Sequence, residues 1–211
     1  MRMFRISSLC TFAILALVPT FAHAQTFSVL YNFGIKNGDP LNPGSVLVQG
    51  RDGNLYGATS NGGTQGFGAV FKITPQGKLI VLHSFDGASG GGDPLGGLTL
   101  GTDGNLYGTT YIGGAFQNGT VFKITSNGNF TVLYSFTGAA DGQLPSAPPV
   151  EGAGRNFYGT TIRGGANGWG TIYKITGFGT LTTLYSLSSN GDFSNRSATS
   201  GNQWQLLWNH R

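Results

Sequence analysis

The chain has 211 residues, of which 37 are Gly and only 9% are charged. The high Gly content disfavours a helical bundle, since Gly in a helix interior costs about 1 kcal/mol relative to Ala. The glycines lack the three-residue period of collagen, and an aromatic content of 12% excludes a solvated disordered chain. These features indicate an all-β protein with many tight turns. The formal net charge of +4 raises the question of a nucleic-acid partner.

Residues 1–24 have the pattern of a secretory signal peptide. Two arginines precede an apolar run over 10–18, and Ala-His-Ala at 22–24 offers small residues for cleavage before Gln25. The run is too short for a membrane span of about 20 residues, and Cys10 lies at its start, whereas a lipidated Cys follows such a run. We expect a protein that is secreted or held in the cell envelope. Cleavage would remove its one cysteine and leave no transmembrane segment.

The rest of the chain is a tandem repeat with a period of 51 residues. The first copies of its three motifs are LYGAT over 55–59, FKIT over 71–74 and VLHSF over 81–85. An additional copy of the third motif, VLYNF over 29–33, precedes the first complete repeat. Asp-Gly and Gly-Gly pairs mark turns between the motifs. They divide each repeat into four runs with strand character. In the first repeat these runs are 45–50, 54–59, 68–74 and 79–85.

Four antiparallel strands in a unit of about 50 residues are typical of a β-propeller blade. We therefore predict that the region 25–190 is an incomplete, propeller-like array of three complete repeats. The predicted blades are about 46–85, 97–136 and 148–187, and the strand 27–33 would latch a further blade. A β-solenoid is the alternative, but its coils are usually shorter and the hairpin turns favour the propeller.

The phrases GNLYGTT, GTVFKIT and VLYSF resemble the Gloeo/Verruco (GloVer) tandem repeat, a family of secreted or surface-anchored bacterial proteins. The resemblance covers about residues 27–187. It implies a propeller-like repeat and a location in the bacterial envelope or outside the cell, and it implies no particular activity. The third unit departs from the pattern, since Gly154-Arg155-Asn156 replaces the Asp-Gly-Asn turn.

The repeat pattern is lost over 191–211. Read one nucleotide later, the codons of this tail permit Gly-Asn-Phe-Tyr-Gly-Thr-Thr, with both glycines forced by Trp204-Gln205 and Trp208-Asn209. We interpret the residues from about 193 onward as a frameshifted remnant of the next repeat. The chain would then be a truncated fragment of a longer protein. A short divergent tail is the alternative, and resequencing the locus would separate the two.

The long loop after each YGTT-like motif is the best candidate for ligand binding. Phe67 and Trp169 lie two periods apart, and Phe116 lies two places earlier in its own loop. Aromatic side chains on Gly-rich loops can stack on sugar rings, which predicts glycans or other surface polymers as partners. Packing between blades is the alternative explanation for these three residues.

Other recurring side chains have structural explanations. Three lysines share one strand register and either line a channel or lie in solvent with packed stems. Three tyrosines are expected to be structural, with hydroxyls that find a partner. The lysines are Lys72, Lys123 and Lys174, and the tyrosines are Tyr56, Tyr107 and Tyr158. His83 replaces a repeated Tyr, which indicates a packing substitution.

Catalytic and metal-binding residues cannot be assembled from this sequence, and no cofactor is predicted. Asp39, Asp93 and Asp141 precede the prolines between repeats, but they are too sparse for a typical Ca²⁺ loop. We predict a non-catalytic binding or structural protein. A fragment of a propeller-fold polysaccharide lyase or glycoside hydrolase is the alternative. Between residues 25 and 191 there are eight basic and seven acidic residues, a net charge of +1. The basic character therefore does not indicate a nucleic-acid partner.

Overall fold

The computed structural model describes residues 27–189. The predicted signal peptide over 1–24 and the tail over 191–211 lie outside these residues. Within the described range the chain forms short β-strands, and its one helical segment is a 3-10 turn over Ala153–Arg155. No helix in this range is long and apolar enough to cross a membrane. The predicted all-β fold class is confirmed.

The strands form three four-stranded antiparallel sheets, called sheets 1, 2 and 3 in chain order, and one two-stranded ribbon. Sheet 1 contains β2 (Val48–Gln49), β3 (Leu55–Thr59), β5 (Ala69–Ile73) and β6 (Leu79–Ser84). Sheet 2 contains β7 (Leu98–Leu100), β8 (Leu106–Thr110), β9 (Thr120–Ile124) and β10 (Phe130–Ser135). Sheet 3 contains β11 (Val150–Glu151), β12 (Asn156–Thr160), β13 (Thr171–Thr176) and β14 (Leu181–Ser186). The ribbon pairs β1 (Pro40–Leu41) with β4 (Asn61–Gly62).

Strand pairing repeats with the sequence period. Leu55 faces Ile73 in sheet 1, and the residues 51 places later face each other in sheet 2. The register shift between the third and fourth strands also recurs, and it leaves one Leu of each fourth strand outside the ladder. These residues are Leu82, Leu133 and Leu184.

The sheets pack face to face around two hydrophobic cores. The first core joins sheets 1 and 2, and the second joins sheets 2 and 3. Successive side chains of a strand point to opposite faces, so sheet 2 contributes to both cores, with Leu106 in the first and Tyr107 in the second. The largest members of the first core are Tyr56, Phe85 and Phe122, and those of the second are Tyr107, Phe136, Phe157 and Tyr173.

The two ends of each sheet differ. At one end, here called the turn end, lie both hairpin turns, which in sheet 1 are residues 50–54 and 74–78. At the other, the loop end, lie the long loop between the second and third strands and the connection to the next sheet. The third sheet replaces its first hairpin turn by the 3-10 turn, in which Gly154 and Arg155 have φ of 69° and 59°. This conformation accommodates the departure from Asp-Gly-Asn.

The segment 27–33, expected as a strand, belongs to no strand in the structure. A strand needs a partner for its backbone hydrogen bonds, and the described residues place no further sheet beside this segment. Its side-chain packing nevertheless follows the repeat. Phe33 contacts Phe71 edge-on at 5.2 Å between ring centroids, much as Phe85 contacts Phe122 at 5.4 Å. The segment therefore covers sheet 1 in the way that sheet 1 covers sheet 2.

Candidate functional site

The loops of the loop end are joined into one continuous surface by the connections between sheets. The amide of Asp93 donates to the carbonyl of Phe67 at 2.9 Å, and the amide of Tyr111 donates to the carbonyl of Asp93 at 3.1 Å. The next connection repeats this arrangement, since Leu144 bonds to the loops before and after it. Asp93 and Leu144 share a positive φ of 52° and 58°. The connections thus hold neighbouring loops in fixed relative positions.

Two of the three predicted aromatic residues occupy equivalent places on this surface. The backbone of Phe67 forms an isolated parallel β-bridge with Gly62, and the backbone of Trp169 forms the same bridge with Gly164. Their side chains are 39% and 48% exposed. Phe116, which is 56% exposed, does not share their position. These three residues therefore present half-exposed rings to solvent.

The middle loop carries Asn118 where its neighbours carry Phe67 and Trp169. The Asn118 side-chain amide donates to the carbonyl of Thr137 at 2.9 Å and so ties the loop to the following connection. Phe116 instead follows Ala115, whose amide donates to the Ser135 hydroxyl at 3.2 Å. The middle loop keeps the backbone of its sister loops but presents its aromatic ring from a different place.

The Phe67 ring is held from beneath by the connection that follows sheet 1. A side chain at Gly87 would meet three ring atoms of Phe67 within 2.9 Å, and Gly87 also has a φ of 70°. Only Gly allows the backbone to approach the ring so closely in this conformation. One face of the ring is thus fixed against the backbone while part of the ring remains exposed.

At the turn end, two of the predicted tyrosines are structural. The hydroxyls of Tyr56 and Tyr107 donate to Asp52 and Asp103, both at 2.8 Å. Burial and this hydrogen bond raise the pKa of Tyr56 to about 12. Burial alone would raise the pKa of the Asp52 carboxyl, but hydrogen bonds from Tyr56 and Asn54 hold it below its ordinary value. These pairs lock the hairpin turns.

Charged side chains at the turn end connect the sheets. Lys72 of sheet 1 donates from Nζ to the carbonyl of Ser126 in a turn of sheet 2, at 3.1 Å. The Glu151 carboxylate accepts from the amide and the hydroxyl of Thr102, both at 2.7 Å. Arg51 also donates to the carbonyl of Thr102. For Lys72, the contact favours a structural role over a position in an open channel.

The aspartates before the prolines do not form one equivalent set. Asp39 and Asp141 each accept a hydrogen bond from a tyrosine hydroxyl, whereas Asp93 shares its backbone conformation with Leu144. Within the described residues, no group of three or more His, Cys, Asp or Glu side chains is placed to hold a metal ion.

His83 packs as expected from the sequence. Its ring stacks on Phe130 at 3.8 Å between centroids and 2° between planes. Burial lowers the pKa of His83, and the charge of Asp86 opposes this effect. The stack borders a cleft between β6 and β10 that the sequence reading did not identify. The available signal was that the first complete repeat has His83 where Tyr is found at positions 31, 134 and 185.

The fold and the loop surface define a tandem-repeat all-β protein built from four-stranded antiparallel units. The model of the Gloeobacter/Verrucomicrobia repeat matches residues 17–155, and the chain belongs to this family. No curated protein matches the sequence. A crystal structure of a Bacteroides uniformis protein, provisionally described as a 6-phosphogluconolactonase, is similar at 17% identity with a TM-score of 0.37. The similarity covers 60% of this chain and 36% of that one, so the chain spans about a third of that structure's length.

Proposed function

We propose that the chain is an extracellular or cell-envelope repeat protein that binds glycans without catalysis, and that its sheets are blades of a β-propeller. The observation that carries the proposal is the set of half-exposed aromatic rings at the loop end, at Phe67, Phe116 and Trp169. The loops that bear these rings are fixed to one another through the connections between sheets. Rigid presentation of aromatic rings lowers the entropy lost on binding.

The propeller arrangement is supported by the equal registers and the face-to-face packing of the three sheets. An exposed apolar residue on the outer face of sheet 3 supports the proposal of a larger parent protein. Leu82 and Leu133 pack against the two cores, whereas Leu184 is 50% exposed. A further repeat, packed as sheet 2 packs on sheet 1, would cover Leu184. This is the basis for proposing that the chain is a fragment of a longer propeller.

The near-neutral charge of the chain supports an uncharged ligand over a nucleic acid. The net charge of +1 between residues 25 and 191 provides little of the phosphate neutralisation on which nucleic-acid binding depends. Export is supported by the pattern of residues 1–24. If export and cleavage occur, protein recovered outside the cytoplasm will begin at Gln25, which N-terminal sequencing would measure.

The binding proposal is tested with a glycan array and the variant Trp169→Ala. Loss of one aromatic stacking contact is expected to weaken binding about tenfold or more, which corresponds to about 1.4 kcal/mol. Phe178→Ala is the matched control, because Phe178 is 99% exposed but lies in a turn at the turn end. Unchanged binding by Trp169→Ala, or equal losses for both variants, would contradict the assignment of the loop end.

A further inference from the structure

The fourth strands of sheets 1 and 2 border a cleft of about 470 Å³. This volume lies within the range of about 300–1,000 Å³ that is typical of small-molecule sites. The walls combine polar side chains, from His83, Asp86 and Ser89, with apolar ones from Phe130 and Val132. The cleft is separate from the aromatic residues assigned to the loop surface.

The equivalent place on either side of this cleft is filled by a tyrosine–aspartate pair. The Tyr31 hydroxyl donates to Asp39 at 2.9 Å, and the Tyr134 hydroxyl donates to Asp141 at 3.0 Å. Both aspartates also accept backbone amides from the preceding turn, such as that of Thr137 at 2.7 Å. Phenol and carboxylate therefore occupy this space in the flanking repeats.

The first complete repeat, which forms sheet 1, and the connection after it lack both partners of this pair. His83 stands in the place of the tyrosine, and Gly90 stands 51 residues before Asp141. The turns around the two positions have the same hydrogen bonds, since Gly87 bonds to Gly91 as Gly138 bonds to Gly142, each at 3.1 Å. The backbone is thus preserved while the side chains that fill the space are absent.

Two polar atoms converge on the space that is opened at Gly90. A methyl group built at Gly90 would lie 3.6 Å from Oδ1 of Asp86 and 3.8 Å from Nε2 of His83. Asp86 is itself oriented by the amide of Ala88, which donates to Oδ1 at 2.8 Å. Asp39 and Asp141 bring their carboxylates from the end of their turns, whereas Asp86 brings its carboxylate from the start of the turn that follows sheet 1.

We propose that this cleft binds one neutral sugar residue. The hydroxyls of a sugar can donate hydrogen bonds to the Asp86 carboxylate and exchange a hydrogen bond with the His83 imidazole. The C–H face of the sugar can pack against the apolar side chains of Phe130 and Val132. An anionic ligand would be repelled by Asp86. A metal ion would have only His83 and Asp86 as its strong ligands, short of the coordination that Zn²⁺ or Ca²⁺ requires. The inference rests on the glycan class proposed above but uses residues other than Phe67, Phe116 and Trp169.

The test is an NMR titration of the purified chain with methyl glycosides of glucose, galactose, mannose and xylose. The His83 imidazole signals report on the cleft, and the Trp169 indole signal reports on the loop surface. We expect a saturable shift of the His83 signals with at least one glycoside below about 50 mM. In Gly90→Asn, which places an amide in the cleft without adding charge, the affinity should fall about tenfold or more.

The control is Gly44→Asn, since a side chain at Gly44 meets no atom within 4 Å. It should titrate like the parent chain. If Trp169 shifts while His83 does not, the cleft assignment is wrong and the loop-end proposal stands. If His83 shifts while Trp169 does not, the cleft assignment stands without the loop site. The inference would be overturned if the glycoside-induced shift of the His83 signals persists unchanged in Gly90→Asn. It would also be overturned if, in a parallel titration, Zn²⁺ shifts the His83 signals and no glycoside does.

Discussion

Tyr173 carries a hydroxyl whose removal should stabilise the protein. Its side chain is fully buried, and the hydroxyl has no hydrogen-bond partner among residues 27–189. The equivalent residues of sheets 1 and 2 are Phe71 and Phe122, which lack the hydroxyl. Burial raises the pKa of Tyr173, which is consistent with an environment that disfavours charge.

The magnitude follows from the desolvation of one polar group. An unsatisfied buried donor costs about 1–3 kcal/mol, and loss of the oxygen's packing contacts returns about a few tenths of a kcal/mol. Tyr173→Phe should therefore raise the free energy of unfolding by about 1 kcal/mol. A change of this size raises the Tm of a chain of this length by about 2–4 °C.

Urea denaturation measures this change, and two further variants make it decisive. Phe122→Tyr installs the same hydroxyl in sheet 2 and should lower the free energy of unfolding by about 1–3 kcal/mol. Tyr107→Phe removes a hydroxyl that donates to Asp103 at 2.8 Å and should also be destabilising. The reasoning is refuted if Tyr173→Phe destabilises as much as Tyr107→Phe does, because the Tyr173 hydroxyl would then have a partner in solution.

Two further predictions concern packing and pH. Leu133→Ala should lower the free energy of unfolding by about 2–4 kcal/mol because Leu133 packs against the second core, while Leu184→Ala should change it by less than about 0.5 kcal/mol; equal urea midpoints would contradict the difference in burial. Burial holds the pKa of His83 below its ordinary 6.5 in the folded state, so the unfolded chain takes up its proton first. Stability should therefore fall as the pH drops from 6.5 toward the folded pKa. His83→Tyr should lose less stability than the parent between pH 7.5 and pH 5.5, which urea midpoints at the two pH values would measure. An equal loss in both proteins would assign the pH effect to other groups.

Local features explain why the strands were predictable. Turn pairs such as Asp52-Gly53 act within a few residues, and the apolar and β-branched residues of a strand are visible in its own short sequence. The ribbon of β1 and β4 was not predictable, since each strand has two residues and the pairing joins distant segments. Asp93 is not equivalent to Asp39, although both directly precede a proline. The connections are instead aligned by Phe33 and Phe85, which make equivalent ring contacts.

The cleft at His83 depends on a contact that no local pattern contains. His83 and Phe130 lie in different sheets and meet only because the sheets stack. The space beside Gly90 is equally hard to predict from the sequence, since a glycine in a turn usually indicates only that the backbone needs conformational freedom. At Gly90 the φ is not positive, so the residue is distinguished by the space it leaves rather than by its backbone. Comparison of equivalent repeat positions in the structure is what reveals that space.

The two ends of the sheets differ in how their side chains are held. At the turn end, Tyr56 and Tyr107 make the same bond to an aspartate, and substitution of either would weaken a turn. At the loop end, one backbone position carries Phe67, Asn118 or Trp169 without a change in the surrounding hydrogen bonds. Since Asn118 occupies this position in the middle loop, the backbone arrangement does not itself require an aromatic ring there, although the Phe67 ring packs against Gly87. If the loop end binds glycans as proposed, Trp169→Ala should reduce binding while leaving the free energy of unfolding, measured by urea denaturation, within about 0.5 kcal/mol of the parent.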